Sequence, residues 1–126
     1  LDNLDEILNA SDSILIDRGD LSRQVPLEKI PFLQRRIISI ARSRNVPVFV
    51  ATNLLESMIN AKEPTRAEIN DVVSTILMGA DGLVLVAETA VGEYPEKSVK
   101  MISKLMSEIN QWTLNLNSSI DDILTW

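Results

Sequence analysis

The sequence contains no cysteine and no histidine among its 126 residues. Without cysteine, disulfide bonds, a thiolate nucleophile and cysteine-ligated metal sites are excluded. Without histidine, the most common general base and the most common zinc ligand are missing. Any catalysis must therefore use carboxylates, hydroxyl groups, Lys or Arg, main-chain amides, or a hard metal ion bound by oxygen atoms.

Long apolar runs and an excess of positive charge are also missing. No stretch approaches the roughly 20 apolar residues needed to cross a bilayer, and the acidic N-terminal segment is unlike a secretory signal. We therefore expect a cytoplasmic protein with no membrane partner. The formal net charge of −6 disfavours nucleic acid as a partner, although a bound metal ion can favour a phosphorylated substrate locally. The first residue is not Met, which is typical of a processed piece or an excised fragment.

A repeated strand–helix pattern is present instead. Three short β-branched apolar runs each end in a polar cluster and are followed by a segment of helical periodicity. The runs are Ile14–Ile16, Val46–Val50 and Leu83–Val86. Their spacing of roughly 35 residues is typical of β/α units. We predict an α/β fold in which three parallel strands alternate with helices. In such folds ligands bind at the carboxyl ends of the strands.

Helices are predicted from apolar periodicity and from helix-end signals. Thr65 and Glu68 form a capping box, which satisfies main-chain amides at the start of a helix, and Gly79 ends that helix. Pro95 is suited to the first position of the last long helix. The predicted helical segments are residues 2–10, 27–41, 54–59 (a single turn), 65–79 and 95–109.

Three parallel strands form an incomplete sheet. Parallel strands are normally covered on both faces, and a three-stranded sheet leaves two bare edges. We therefore expect residues 1–112 to be part of a larger barrel. Its partner would be the remainder of that barrel or another copy of the chain. Residues 113–126 are predicted to form a C-terminal tail or a short helix.

Four segments in order resemble motifs of pyruvate kinase. Ile16–Leu21 resembles A-R-G-D-L-G, and Ala51–Met58 resembles A-T-Q-M-L-E-S-M. Pro64–Val72 resembles P-T-R-A-E-x-x-D-V, and Ala87–Pro95 resembles G-E-T-A-K-G-x-Y-P. Each match alone would be weak, but four in the same order are specific.

The resemblance implies the later part of a (β/α)8 TIM barrel, from strand six to strand eight. It also implies a reaction in which a phosphoryl group passes from phosphoenolpyruvate to ADP, giving pyruvate and ATP, with Mg²⁺ and usually K⁺ as cofactors. By the same resemblance Asp20 is a Mg²⁺ ligand, and the amides of Gly19 and Asp20 hold the substrate carboxylate. The Thr52 hydroxyl donates to that carboxylate near the carbon that accepts a proton. Glu88 belongs to a polar network near the proton-transfer site.

Each of these residues also has a structural interpretation. Gly19 and Asp20 can form an ordinary turn with a capping Asp, and Thr52 can be a β-branched strand residue. Glu88 can be a solvated loop carboxylate. Arg18 is predicted to pair with a neighbouring carboxylate. Arg66 and Glu68 are interpreted mainly as a helix cap with an ion pair.

The sequence also departs from the family pattern. Asp17 stands where the family has alanine, which adds a negative charge beside the predicted metal ligand. Val86 stands where serine is common, and Val91 where lysine is common. The family's essential lysine, its second metal carboxylate and its K⁺ ligands would precede Leu1.

We therefore predict that the 126-residue chain is inactive in isolation. A second hypothesis is a non-catalytic half-barrel that self-associates or acts as a binding module. A third is another barrel that acts on phosphoenolpyruvate or pyruvate, such as a metal-dependent aldolase, and the second and third motifs count against it.

Overall fold

A parallel three-stranded sheet lies at the centre of the computed structural model, which describes residues 3–126. The strands are β1 (Ile14–Asp17), β2 (Val48–Ala51) and β3 (Gly82–Val84), and β2 lies between the other two. Ile16 of β1 pairs with Val50 of β2. The predicted parallel strands are confirmed, with ends that shift by one or two residues.

Seven helices and two short 3₁₀ segments surround or follow the sheet in the described part of the chain. The 3₁₀ segments are Leu27–Lys29 and Glu56–Ile59. The helices are α1 (Leu4–Ala10), α2 (Arg18–Gln24), α3 (Ile30–Ser43), α4 (Arg66–Leu77), α5 (Ala87–Ala90), α6 (Pro95–Leu114) and α7 (Ile120–Thr125). Over residues 3–126, none of these helices combines the length and apolar character needed to span a bilayer.

Most of the predicted helices are confirmed. The predicted turn at residues 54–59 is the 3₁₀ segment Glu56–Ile59, and Pro95 begins α6 as expected. Residue 2 of the first predicted helix lies outside the described residues. The long helix predicted from Leu27 is instead a 3₁₀ turn followed by α3. Helices α2 and α5 were not predicted.

The buried apolar residues form two clusters. In one, Val48 and Val50 of β2 pack with Ile38 of α3. In the other, Leu54 and Leu55 after β2 pack with Met58 of the second 3₁₀ segment, Val72 of α4 and Leu105 of α6. Full burial of each such side chain contributes about 1.5–3 kcal/mol relative to exposure. The second cluster therefore holds the segment that follows β2, because Leu54 and Leu55 of that segment are buried in it.

The outer strands differ from β2 in their exposure. Leu15 of β1 is 56% exposed and Val84 of β3 is 38% exposed, whereas Val48 and Val50 of β2 are completely buried. Among the described residues β1 and β3 each pair only with β2, so the two bare edges expected from the sequence are present in this part of the chain. This pattern fits a segment of a barrel.

Candidate functional site

The chain turns sharply where β2 ends. Thr52 and Asn53 have φ values of 72° and 56°. This left-handed conformation is uncommon outside glycine and is unfavourable for a β-branched residue such as Thr. Surrounding contacts must therefore hold the turn.

The guanidinium group of Arg18 provides those contacts. Its Nη2 donates to the carbonyl oxygens of Thr52 and Asn53 at 2.9 and 3.0 Å, and its Nε donates to Thr52 O at 3.2 Å. Its Nη1 donates to Asp71 Oδ1 of α4 at 2.8 Å. The predicted pairing of Arg18 with a carboxylate is confirmed. The sequence did not indicate its bonds to the carbonyl groups of the turn.

The turn also brings the Thr52 side chain to the start of α2. Thr52 Oγ1 accepts a hydrogen bond of 2.7 Å from the Gly19 amide, and the Thr52 hydroxyl donates to Asp17 Oδ1 at 3.2 Å. The same Asp17 oxygen accepts from the Asp20 amide at 3.2 Å, which caps α2. The structure therefore brings together Gly19, Thr52 and the main chain of Asp20. The capping residue is Asp17, so the interpretation of Asp20 as the cap is wrong.

The Asp20 carboxylate lies in the first turn of α2 and points outward. Its side chain is 63% exposed, and it forms a 3.3 Å ion pair with Arg23 on the same helix. Over residues 3–126, no group of three or more His, Cys, Asp or Glu side chains is placed to hold a metal ion. A single exposed carboxylate near a strand end nevertheless fits Mg²⁺, which commonly takes one or two carboxylates together with water and substrate oxygens.

The Glu88 carboxylate is buried, with the residue only 2% exposed. Its Oε1 accepts from the Leu55 amide at 3.0 Å and its Oε2 from the Val86 amide at 3.1 Å. The interpretation as a solvated loop carboxylate is therefore wrong. Burial could have been suspected because Glu88 is the only charged residue between Asp81 and Glu93.

The predicted capping box at the start of α4 is confirmed. Thr65 Oγ1 accepts from the Glu68 amide at 3.1 Å, and Glu68 Oε1 accepts from the Thr65 amide at 2.9 Å. Glu68 also accepts hydrogen bonds from the amide and the hydroxyl of Ser57. Burial raises the pKa of Glu68, but the hydrogen bonds from Ser57 and Thr65 outweigh it and hold that pKa below its ordinary value of 4.5. Among residues 3–126, Arg66 forms no ion pair with Glu68.

Comparison with known proteins identifies the family of the chain. The sequence matches the description "Pyruvate kinase, barrel domain" over residues 1–99, most of the chain. The chain belongs to the pyruvate kinase family. It is 46% identical to the pyruvate kinase of Thermotoga maritima over 108 residues, which cover 86% of this chain and 23% of that protein. It is also 46% identical over 112 residues to the chloroplastic pyruvate kinase isozyme A of Ricinus communis, covering 89% of this chain and 19% of that protein.

Solved structures of pyruvate kinases have the same fold over this segment. The structure of the Cryptosporidium parvum pyruvate kinase superposes with a TM-score of 0.84 at 40% identity, over 86% of this chain and 22% of that one. The Pyrobaculum aerophilum pyruvate kinase gives 0.82 at 43% identity, over 84% and 25%. The chain thus spans about a quarter or less of the pyruvate kinases that it matches, and its fold is part of their barrel.

Proposed function

We propose that this chain forms part of the active site of a pyruvate kinase. That enzyme would transfer a phosphoryl group from phosphoenolpyruvate to ADP and yield pyruvate and ATP. The observation that carries the proposal is the 2.7 Å hydrogen bond from the Gly19 amide to Thr52 Oγ1. It joins the ends of two neighbouring parallel strands, where ligands of barrel enzymes bind.

The proposed roles follow from the chemistry of each group. The amides of Gly19 and Asp20 and the hydroxyl of Thr52 would donate hydrogen bonds to the substrate carboxylate. Asp20 would be one ligand of Mg²⁺, because its carboxylate is exposed and held only by a 3.3 Å ion pair with Arg23. When bound, Mg²⁺ would neutralise charge on the transferring phosphoryl group. We propose no K⁺ ligand within this chain. The cytoplasmic location expected from the sequence stays a prediction.

Thr52 and Glu88 are proposed to act near the site of proton transfer, in different ways. The Thr52 hydroxyl lies at the strand end and would face the substrate. Both oxygens of Glu88 are bound by main-chain amides, at 3.0 and 3.1 Å. We therefore favour a positioning role for Glu88, in which it fixes Leu55 and Val86 and so the segment that follows Thr52.

We expect no turnover by the 126-residue chain alone. Phosphoryl transfer depends on several charged groups held together around the phosphates. Near the proposed metal position, the described residues place one exposed carboxylate, Asp20. Active turnover would require the remainder of the barrel.

A segment exchange tests the proposed function. Residues 4–112 of this chain would replace the matching segment of the Thermotoga maritima enzyme, and pyruvate formation would be measured. We expect an active chimera in which Asp20→Asn and Thr52→Val each lower kcat/KM by about 100-fold or more, the usual effect of losing a group that stabilises the transition state. Asp12→Asn is the control, because it removes the same charge from the loop before β1. Full activity of the Asp20→Asn chimera would contradict the assignment.

The second candidate function is a non-catalytic half-barrel that pairs with another copy. The exposure of Leu15 on β1 and of Val84 on β3 supports it, because both lie on open edges of the sheet. Sedimentation velocity on the 126-residue chain tests this candidate. A concentration-dependent dimer would support self-association, whereas a monomer with a cooperative thermal transition would argue against it.

A further inference from the structure

We propose that Asp17 determines how tightly the site binds carboxylate ligands, because its own carboxylate occupies two of the three hydrogen-bond donors proposed for the substrate. The inference rests on the proposed function in one respect. It takes the amides of Gly19 and Asp20 and the hydroxyl of Thr52 as the carboxylate contacts.

The contacts of Asp17 Oδ1 are the first argument. This single oxygen accepts from the Thr52 hydroxyl and from the Asp20 amide, each at 3.2 Å. An O–H and an N–H from the ends of two different strands therefore converge on one carboxylate oxygen. The third proposed donor, the Gly19 amide, is engaged by Thr52 Oγ1 at 2.7 Å. A bound substrate carboxylate would have to take over donors that are already paired within the chain.

The space beside Gly19 is the second argument. A Cβ atom added to Gly19 would lie 3.2 Å from Asp17 Oδ1 and 3.4 Å from Thr52 Oγ1. Because glycine has no Cβ atom, the side chains of Asp17 and Thr52 can lie close to the Gly19 main chain. A ligand that reaches the Gly19 main chain from this side must displace the Asp17 carboxylate.

Charge is the third argument. A ligand carboxylate that shares these donors would stand a few ångströms from the negative charge of Asp17, and like charges at that distance repel appreciably even with partial solvent screening. The two bonds to Asp17 are long for their type, so the Asp17 side chain can rotate away. Asp17 is therefore a displaceable competitor that lowers carboxylate affinity. The alanine of the family motif would offer no such competition.

Asp17 also caps α2, and that structural role must be separated from its charge. Asparagine is as good a helix cap as aspartate because its side-chain oxygen accepts the same hydrogen bond. Asp17→Asn therefore keeps the acceptor and removes the charge, whereas Asp17→Ala removes both. Asp12→Asn removes one negative charge from the loop before β1 and serves as the matched control.

The experiment is a titration of the 126-residue chain with sodium pyruvate at constant ionic strength, with and without MgCl₂. The amide signals of Gly19 and Asp20 would be followed by ¹H–¹⁵N NMR. We expect Asp17→Asn and Asp17→Ala to bind pyruvate about tenfold more tightly than the unmodified chain, a size set by the repulsion between neighbouring like charges. Asp12→Asn should match the unmodified chain. Thr52→Val in the Asp17→Asn background should cancel the gain.

Several results would overturn the inference. One is equal affinity in the unmodified chain and both Asp17 variants. Another is an equal gain in Asp12→Asn, since a general charge effect would then account for the change. A third comes from a parallel titration with MnCl₂: if Asp17→Asn loses the paramagnetic broadening seen in the unmodified chain, Asp17 is a metal ligand. If pyruvate shifts the Gly19 and Asp20 signals equally in the unmodified chain and in both Asp17 variants, but less in the Thr52→Val variant, the proposed substrate contacts stand and only the role of Asp17 fails. If it shifts them in none, both fail.

Discussion

Asp20 and Glu88 both follow a strand of the same parallel sheet, but their carboxylates lie in opposite environments. The Asp20 side chain is 63% exposed, and Arg23 is paired with it at 3.3 Å. Glu88 is 2% exposed, and each of its oxygens accepts a hydrogen bond from a main-chain amide. In sequence, each is an acid shortly after an apolar run.

The difference shows that the position of an acid after a strand does not decide its use. A carboxylate whose oxygens are taken by buried amides stabilises the fold, because those amides would otherwise lose their partners. A carboxylate that stays in contact with water has almost no desolvation penalty, and its oxygens remain accessible to a cation. Within this chain, the Asp20 carboxylate is therefore accessible from solvent, whereas Glu88 holds the main chain at Leu55 and Val86.

The largest effect on stability is expected for Glu88→Ala. The change leaves the amides of Leu55 and Val86 without their acceptor, and the unfolding free energy should fall by about 3 kcal/mol, since each unpaired buried group costs about 1–3 kcal/mol. Urea denaturation measures this. Glu63→Ala, at an exposed loop position, is the control and should change stability by less than about 0.5 kcal/mol. Equal effects of the two substitutions would show that the hydrogen bonds of Glu88 do not stabilise the fold.

Arg18→Lys should have the next largest effect. An ammonium group cannot reproduce the forked contacts of Arg18 with Thr52, Asn53 and Asp71. We expect a loss of about 2 kcal/mol in unfolding free energy, the order of one or two hydrogen bonds to a charged group. Arg23→Lys, on the exposed face of α2, is the matched control and should be nearly neutral. Similar denaturation midpoints for both variants would show that the turn after β2 does not depend on Arg18.

A smaller, pH-dependent effect is expected for Glu68→Gln. Because the pKa of Glu68 is lowered in the folded state, its carboxylate adds stability above its ordinary pKa of 4.5, and that stability is lost as the pH falls through the lower folded-state value. The melting temperature of Glu68→Gln should therefore lie below that of the unmodified chain near pH 7. The gap should narrow as the solution is acidified below pH 4.5. A gap that is constant with pH would contradict this.

Asp20→Asn should have the smallest effect on stability. Its carboxylate is mostly exposed, and exposed ion pairs typically contribute about 0–1 kcal/mol. We expect a change within about 0.5 kcal/mol in unfolding free energy, as for most surface substitutions, together with a marked loss of Mn²⁺ binding detected by paramagnetic broadening. A large destabilisation would show that Asp20, like Glu88, stabilises the fold.

The sequence predicted the parallel strands and the long helices because they depend on apolar periodicity. It did not predict α2, whose only large apolar residue is Leu21, or α5, which has four residues, because neither offers an apolar repeat. The structural interpretation of Gly19 and Asp20 was an ordinary turn, and the Asp17 cap instead starts a helix there. The bond from the Leu55 amide to Glu88 was not predicted either, because Leu55 lies 33 residues away in the chain. The left-handed backbone conformation of Thr52 was not predicted, because β-branched residues ordinarily prefer extended backbone.

The Arg18 contacts have a kinetic consequence for folding. They join Arg18 to Thr52 and Asp71, residues 34 and 53 positions further along the chain. Closing such long loops lowers the conformational entropy of the chain before the stabilising contacts have formed. The polar junction between α2, the turn after β2 and α4 should therefore assemble late, after the apolar clusters have collapsed. Loss of Arg18 should then accelerate unfolding while leaving the refolding rate almost unchanged, which stopped-flow fluorescence can measure.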